Sequence, residues 1–107
     1  MKRGDLIVVA LPGDFGKPRP AVVVQSNDID VDSVLVCLFT SDQAASANYR
    51  QAVEPDTQNG LRELSYVMTD KVQAARKDKC GTVIGRLSNE DMQILNENLT
   101  FVLGLGD

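Results

Sequence analysis

The chain has 107 residues with a net charge of −4, and hydrophobic residues make up 43% of it. This length suits a single core, so we expect one domain spanning 1–107. No apolar run approaches the ~20 residues that cross a bilayer, and the apolar stretch Leu6 to Leu11 is too short for a signal peptide. The composition predicts a cytoplasmic protein without membrane contact.

Metal and disulfide chemistry are not expected. The chain has no histidine and only two cysteines, which do not form a Cys-x-x-Cys pair, so an imidazole-ligated metal site and other cofactors are not indicated. Cys37 lies in an apolar run and Cys80 in a charged turn. We expect a buried small hydrophobe and an incidental thiol.

The charge is unevenly distributed. Residues 1–26 carry a net +2, residues 27–70 a net −6, and residues 71–107 are neutral. Non-specific nucleic-acid binding needs a basic surface, so a nucleic-acid role must depend on a local cluster. The candidates are Lys2, Arg3, Lys17 and Arg19 in one group, and Lys71, Arg76, Lys77 and Lys79 in the other.

A predicted hairpin opens the chain. Asp5 to Leu11 is aliphatic and largely β-branched, which favours a strand, and a Gly-Pro turn leads to a second apolar strand at Ala21 to Val24. Pro18 and Pro20 hold the residues before them, Lys17 and Arg19, extended. Arg19 is therefore a candidate phosphate contact at the strand rim, or a surface arginine in a rigid turn.

Ser33 to Thr40 predicts a third, central strand after an acidic loop. It ends in Thr40-Ser41-Asp42. The two hydroxyls are candidate phosphate contacts, or simply residues that end a strand and begin a turn.

The remaining predicted elements are short. Gln43 to Arg50 is a loop or a short helical turn, and Tyr49 to Val53 a weak edge strand. Leu64 to Thr69 predicts a strand that Lys71 to Ala75 continues after a kink, and Thr82 to Leu87 predicts the last strand.

The C-terminal segment predicts an amphipathic helix. Ser88 is a favourable N-cap with Asp91 three residues on, and Gly104 ends the helix. The apolar stripe is Met92, Leu95, Leu99 and Val102. The predicted fold is mainly β with α: a small β-barrel of about five to seven mostly antiparallel strands plus a C-terminal α-helix.

The ordered motifs resemble those of the MazF/PemK toxin endoribonucleases (mRNA interferases) of type II toxin–antitoxin systems. The residues that carry the resemblance are Arg3-Gly4-Asp5, Arg19-Pro20-Ala21-Val22-Val23, Thr40-Ser41, Leu61-Arg62-Glu63-Leu64-Ser65 and Gly81-Thr82-Val83. The resemblance implies a MazF/CcdB-like barrel that forms a homodimer. It also implies sequence-specific, metal-independent cleavage of single-stranded mRNA and inhibition by a cognate antitoxin whose acidic segment covers the same groove.

The resemblance places the family's catalytic arginine on Arg19 and its threonine on Thr40. Cleavage of this kind uses the 2′-hydroxyl as nucleophile. Arg19 either stabilises charge on the phosphate, which the permanent positive charge of an arginine favours, or acts as the acid/base that the family implies. Ser41 can assist, Lys17 adds attraction for phosphate, and Asp42 is a proton acceptor or a turn residue.

Three further residues complete the predicted set. Asp14 is a second proton acceptor or a turn residue, and Phe15 either stacks on a base or fixes its loop. Gln73 is an RNA contact or a solvated side chain. In three respects the chain departs from what the family leads us to expect. Its 12–18 loop is shorter, 73–76 reads Gln-Ala-Ala-Arg, and its net charge is −4 where an RNA-cutting toxin is expected to be basic.

Two other functions stay open at this point. A CcdB-like gyrase inhibitor shares the barrel, but that family depends on a C-terminal Trp-Gly-Ile, and this chain has no tryptophan. A catalytically weak barrel that only binds antitoxin fits the acidic charge and the short first loop.

Overall fold

Seven strands and one α-helix form the part of the chain that our computed structural model describes, residues 1–13 and 16–106. The strands are β1 Asp5–Val9, β2 Arg19–Val23, β3 Ser33–Thr40, β4 Ala52–Val53, β5 Ser65–Val67, β6 Gln73–Arg76 and β7 Cys80–Arg86. The helix, α1, spans Asn89–Val102, and short 3₁₀ helices lie at Gln43–Ala45, Thr69–Lys71 and Lys77–Lys79. Among these residues no helix is long and apolar enough to cross a membrane.

The strands form one curled antiparallel sheet in the order β4-β5-β3-β2-β1-β7. β3 is the branching strand. Its first half pairs with β6 over Ser33 to Val36, and its last residues, Phe39 and Thr40, pair with β5. This arrangement confirms the predicted mostly antiparallel barrel with a C-terminal helix.

Both faces of the central sheet are buried, which explains why its strands lack apolar–polar alternation. One core contains Leu6, Val22 and Cys37 together with Leu95 and Leu99 of α1. The opposite core consists of Ile7, Val9, Leu11, Ala21, Val23, Val34, Val36, Leu38 and Ala75. Burial raises the pKa of the Cys37 thiol to about 12, so this cysteine behaves as the small hydrophobe that was predicted.

The helix begins and ends as predicted. The Ser88 hydroxyl accepts a hydrogen bond from the N–H of Asp91 at 3.1 Å. Leu95 and Leu99 of the predicted stripe are buried, and Gly104 follows the last turn in a left-handed conformation.

Several predicted strand limits were wrong. β1 stops at Val9 because the N–H of Ala10 turns to the carbonyl of Lys79. β4 and β5 are shorter than predicted and contain only residues that pair with a neighbouring strand. β7 begins earlier than expected, so Cys80 lies at the start of a strand and not in a turn. Leu35 lies in the strand predicted to be central, and its side chain is 41% exposed.

A buried asparagine organises the loop between β4 and β5. Asn59 is 1% exposed, and its side-chain amide donates to the carbonyl of Glu54 at 2.8 Å. Its side-chain oxygen accepts from the N–H groups of Leu61 at 2.9 Å and Asp56 at 3.2 Å. This one side chain therefore satisfies backbone groups on both sides of the loop.

The same loop lies directly against β7. The N–H of Arg86 donates to the carbonyl of Gln58 at 3.0 Å. Gly60 has φ +74°, and a Cβ placed there would lie 2.2 Å from the carbonyl oxygen of Ile84. A Cβ on Gly85 would lie 2.4 Å from the backbone of Asn59. The loop and strand thus approach more closely than any side chain permits.

We expect Gly60→Ala to lower the free energy of unfolding by roughly 2–5 kcal/mol, because it adds a backbone clash to an unfavourable φ. Gly13→Ala is the matched control. Gly13 also has a positive φ, +91°, but nothing lies within 4 Å of an added Cβ. This control should cost only about 1–2 kcal/mol. Urea denaturation of both variants measures the difference, and equal losses would contradict the role assigned to the Ile84 contact.

Candidate functional site

A cavity of about 510 Å³ lies where β2 begins and β3 ends. These strands are antiparallel, and their pairing ends with Ala21 opposite Leu38. Arg19 and Thr40 each lie two residues beyond this pair, at the same end of the two strands. The cavity is lined by Lys17, Pro18, Arg19, Pro20, Leu38, Phe39, Thr40, Ser41, Asp42, Glu63, Ser65 and Met68. The structure thus brings together five of the residues singled out in the sequence: Lys17, Arg19, Thr40, Ser41 and Asp42.

Arg19 is held at the rim by its strand. It is the first residue of β2, pairs with Val9 of β1, and its side chain is exposed between Pro18 and Pro20. A guanidinium on a fixed backbone can hold a phosphate by two parallel hydrogen bonds. It is therefore placed to bind a phosphate that enters the cavity.

The Thr40 hydroxyl is oriented by the turn that follows β3. Its oxygen accepts from the N–H of Asp42 at 3.2 Å, and Oδ1 of Asp42 accepts from the N–H of Ala44 at 3.0 Å. Asp42 therefore caps the 3₁₀ helix, as the turn interpretation predicts. The bond from Asp42 uses a lone pair of the Thr40 oxygen and leaves the hydroxyl proton able to donate to a group in the cavity.

An ion pair fixes the loop beyond this turn. Arg50 makes two hydrogen bonds to the carboxylate of Asp70, at 2.8 and 2.9 Å, and a third to the carbonyl of Ala45 at 3.0 Å. The hydrogen bonds from Arg50 lower the pKa of Asp70 from its ordinary value. This pair ties the loop after Thr40 to the segment between β5 and β6.

Sequence reasoning assigned no role to Glu63, Ser65 or Met68, which also line the cavity. The Ser65 hydroxyl donates to the carbonyl of Glu63 at 3.0 Å, which fixes the backbone between them. Two of the three lie in the 61–65 motif that carries the family resemblance, so the motif was the available signal. Glu63 lies in the same cavity as Arg19 because of the path of the loop between β4 and β5.

The other predicted residues do not join the cavity in the described part of the chain. Gln73 lies on β6 opposite Val36 and does not line the cavity, so its RNA contact stays a prediction. Asp14 and Phe15 fall outside the described residues. In the second basic cluster, Lys77 pairs with Asp30 at 2.7 Å and Arg76 with Asp78 at 3.1 Å. No three His, Cys, Asp or Glu side chains gather as metal ligands within 1–13 and 16–106.

Comparison with known proteins assigns the family. Residues 2–103 match the model of the PemK-like, MazF-like toxins of type II toxin–antitoxin systems. The chain is 34% identical over 107 residues to a probable endoribonuclease MazF of Mycolicibacterium smegmatis, with 98% of each chain covered. The chain therefore belongs to the PemK-like, MazF-like toxin family and is a MazF-like toxin endoribonuclease. This confirms the resemblance, and the gyrase-inhibitor alternative is not favoured.

Solved structures confirm the fold. An endoribonuclease in complex with its cognate antitoxin, from Mycobacterial species, superposes with a TM-score of 0.82 at 22% identity, covering 98% of this chain and 96% of that one. A MazE–MazF structure from Deinococcus radiodurans gives a TM-score of 0.76 at 17% identity, covering 97% and 95%.

The lowered pKa of Asp70 predicts how Asp70→Asn changes the pH dependence of stability. Because the folded pKa lies below the unfolded one, the ion pair stabilises the fold above the unfolded pKa, about 3.9 for aspartate. That stability is lost as the pH falls through the folded pKa. We expect Asp70→Asn to cost about 1–2 kcal/mol between pH 5 and 8.

Urea denaturation of both proteins across pH 2 to 8 measures this difference. The gap between them should close in acid, where Asp70 of the wild type is itself protonated. Asp78→Asn is the control, because both partners of the Arg76–Asp78 pair are largely exposed, 73% and 60%. Exposed pairs of this kind contribute little. A gap for Asp70→Asn that stays constant into acid would contradict the assignment.

Proposed function

We propose that this chain is a metal-independent endoribonuclease that cuts single-stranded mRNA at short sequences, with Arg19 and Thr40 as its catalytic residues. The observation that supports the proposal is that Arg19, at the start of β2, and Thr40, at the end of the antiparallel β3, line one cavity. Two parts of the proposal, sequence specificity and metal independence, are based on the family resemblance.

In the proposed reaction the 2′-hydroxyl oxygen of the RNA attacks the adjacent phosphorus. The P–O2′ bond forms and the P–O5′ bond breaks, leaving a 2′,3′-cyclic phosphate and a 5′-hydroxyl. Arg19 binds the non-bridging phosphate oxygens and stabilises the charge that develops on them. Thr40 donates its hydroxyl proton in a hydrogen bond to the same phosphate, Ser41 assists, and Lys17 attracts the RNA backbone.

Asp42 is the proposed acceptor of the 2′-hydroxyl proton. Asp42 lines the cavity together with Thr40 and Ser41. Its Oδ1 accepts the hydrogen bond that caps the 3₁₀ helix, and Oδ2 takes no part in that bond. The proton that the 5′-oxygen needs comes from solvent, because the cavity is open and the chain has no histidine.

The proposed protein partner is a cognate antitoxin that presents an acidic segment to the same groove. Two observations support this proposal. The cations Lys17 and Arg19 line the cavity, and the similar endoribonuclease from Mycobacterial species was solved in complex with its cognate antitoxin. An acidic segment bound at Arg19 would exclude the phosphate of the substrate.

Incubation of the purified protein with a long single-stranded RNA in EDTA tests the proposed activity. We expect discrete cuts that survive EDTA, carry 5′-hydroxyl ends and disappear when the antitoxin is added first. Arg19→Ala and Thr40→Val should lower the rate by about 10²–10³-fold each, and Thr40→Ser should retain most of it.

Arg76→Ala serves as the matched control, since Arg76 is exposed and outside the cavity. It should cut at the wild-type rate. Intact RNA at high wild-type concentration, or cuts that Arg19→Ala leaves unchanged, would refute the proposed function.

We also propose a homodimer, as the resemblance implies. Apolar side chains at the end of α1 remain exposed, with Phe101 at 69% and Leu105 at 73%. Leu103 and Leu105 line a shallow apolar depression beside Leu35 of β3. A second copy of the chain would remove this surface from water.

Light scattering across a concentration series measures the state of assembly. We expect a dimer mass for the wild type and a shift to monomer in Leu105→Asp, because a carboxylate would be buried without a partner. Glu97→Gln, on the same helix, should leave the mass unchanged. A monomer at all wild-type concentrations would contradict the dimer.

Cleavage of mRNA requires a cytoplasmic location, which we propose for this chain. Cell fractionation with an antibody to the protein checks it, and recovery in a membrane or exported fraction would contradict it.

A further inference from the structure

A second cavity, of about 440 Å³, adjoins the one that contains Arg19 and Thr40. Pro18, Pro20, Glu63 and Ser65 line both cavities, so the two are contiguous. An RNA strand whose phosphate lies at Arg19 therefore has a neighbouring space for one of its bases. Nothing in the proposed cleavage chemistry uses this space.

The walls of the second cavity are mostly apolar. Val8, Leu61 and Ile84 supply aliphatic side chains, and the rings of Pro18 and Pro20 add apolar surface. Apolar walls suit the face of an unstacked nucleobase, which single-strand binders hold against apolar or aromatic side chains. A solvated phosphate or sugar would gain little from such walls.

Several contacts hold the backbone that lines this cavity. Gly60 lies against the backbone of Ile84, and the side-chain oxygen of the buried Asn59 accepts a hydrogen bond from the N–H of Leu61. The Ser65 hydroxyl fixes the backbone at Glu63. Pre-formed cavities with apolar walls and a few polar groups are typical ligand sites.

Two charged side chains supply the polar groups, Arg62 and Glu63. Both are exposed, and within 1–13 and 16–106 neither carries an ion pair. A carboxylate beside an RNA backbone repels phosphate, so Glu63 favours a partner with hydrogen-bond donors. Among the four RNA bases only guanine presents two adjacent donors, N1–H and the N2 amino group, on one edge. Both can bind one carboxylate.

We propose that this second cavity is a guanine subsite in which Glu63 accepts hydrogen bonds from N1–H and the N2 amino group. The subsite selects RNA with a guanine next to the nucleotide that is cut. Glu63 is a specificity-determining residue and takes no part in bond breaking. This inference rests on the proposed function for its place in RNA cleavage, but its binding test does not require cleavage.

The binding test uses short single-stranded RNAs with a 2′-deoxy nucleotide at the cut position, so that no reaction occurs. The probes carry guanine at one position next to it, or inosine, which lacks only the N2 amino group. Fluorescence titration should show the wild type binding guanine about tenfold more tightly than inosine. In Glu63→Gln this preference should fall to about twofold or less. Glu54→Gln, an exposed carboxylate outside both cavities, should keep the full preference.

The cleavage test compares the sequences cut by wild type and Glu63→Gln in a random RNA pool. The wild type should cut next to guanine at one fixed position, and Glu63→Gln should lose that preference while keeping its total rate within about threefold. A uniform loss of rate with unchanged preference would overturn the proposal, because a purely structural or proton-accepting Glu63 gives that result. Equal binding of guanine and inosine by the wild type would overturn it as well. If the wild type cuts no RNA, the proposed function fails, and the titration alone decides the subsite.

Discussion

The close approach of Gly60 to the Ile84 carbonyl is the contact on which the rest of the barrel depends. β4 and β7 are the two ends of the sheet, and the loop that follows β4 reaches β7 through this contact and the hydrogen bond from Arg86 to Gln58. It links the two end strands of the sheet at one place. The buried Asn59 holds the loop in the shape that this approach requires.

The same closure positions the chemistry. Arg19 and Thr40 are set by the strands β1, β2 and β3, and Ser65 is set by the pairing of β5 with β3 and β4. Glu63 instead follows the loop that lies against β7. The groove thus has one wall built by neighbouring strands and another built by distant parts of the chain.

This division explains what the sequence could predict. The limits of β3 and the N-cap at Ser88 follow from local patterns, an apolar run bounded by polar residues and a capping serine. The place of Arg19 and Thr40 in one cavity was expected from the family resemblance. The short β5 and the place of Glu63 could not be predicted in this way. They depend on which backbone groups a distant strand leaves unpaired, and no local pattern encodes that choice.

Positive and negative side chains are more evenly matched in the groove than the Lys17–Pro20 motif alone indicates. Lys17 and Arg19 line the cavity together with two carboxylates, Asp42 and Glu63. Elsewhere Lys77 and Arg76 pair with aspartates. Phosphate attraction is therefore modest for a nucleic-acid enzyme, and selection among RNAs must depend on contacts with bases rather than on a broad basic surface.

The dependence of one wall on β7 also sets when the groove can form. Residues 19 and 40 lie in the first half of the chain, but the backbone partner of Gln58 is Arg86. A ribosome must therefore synthesise most of the 107 residues before both walls of the groove can form. The protein acquires its whole groove only when translation of its own message is nearly finished.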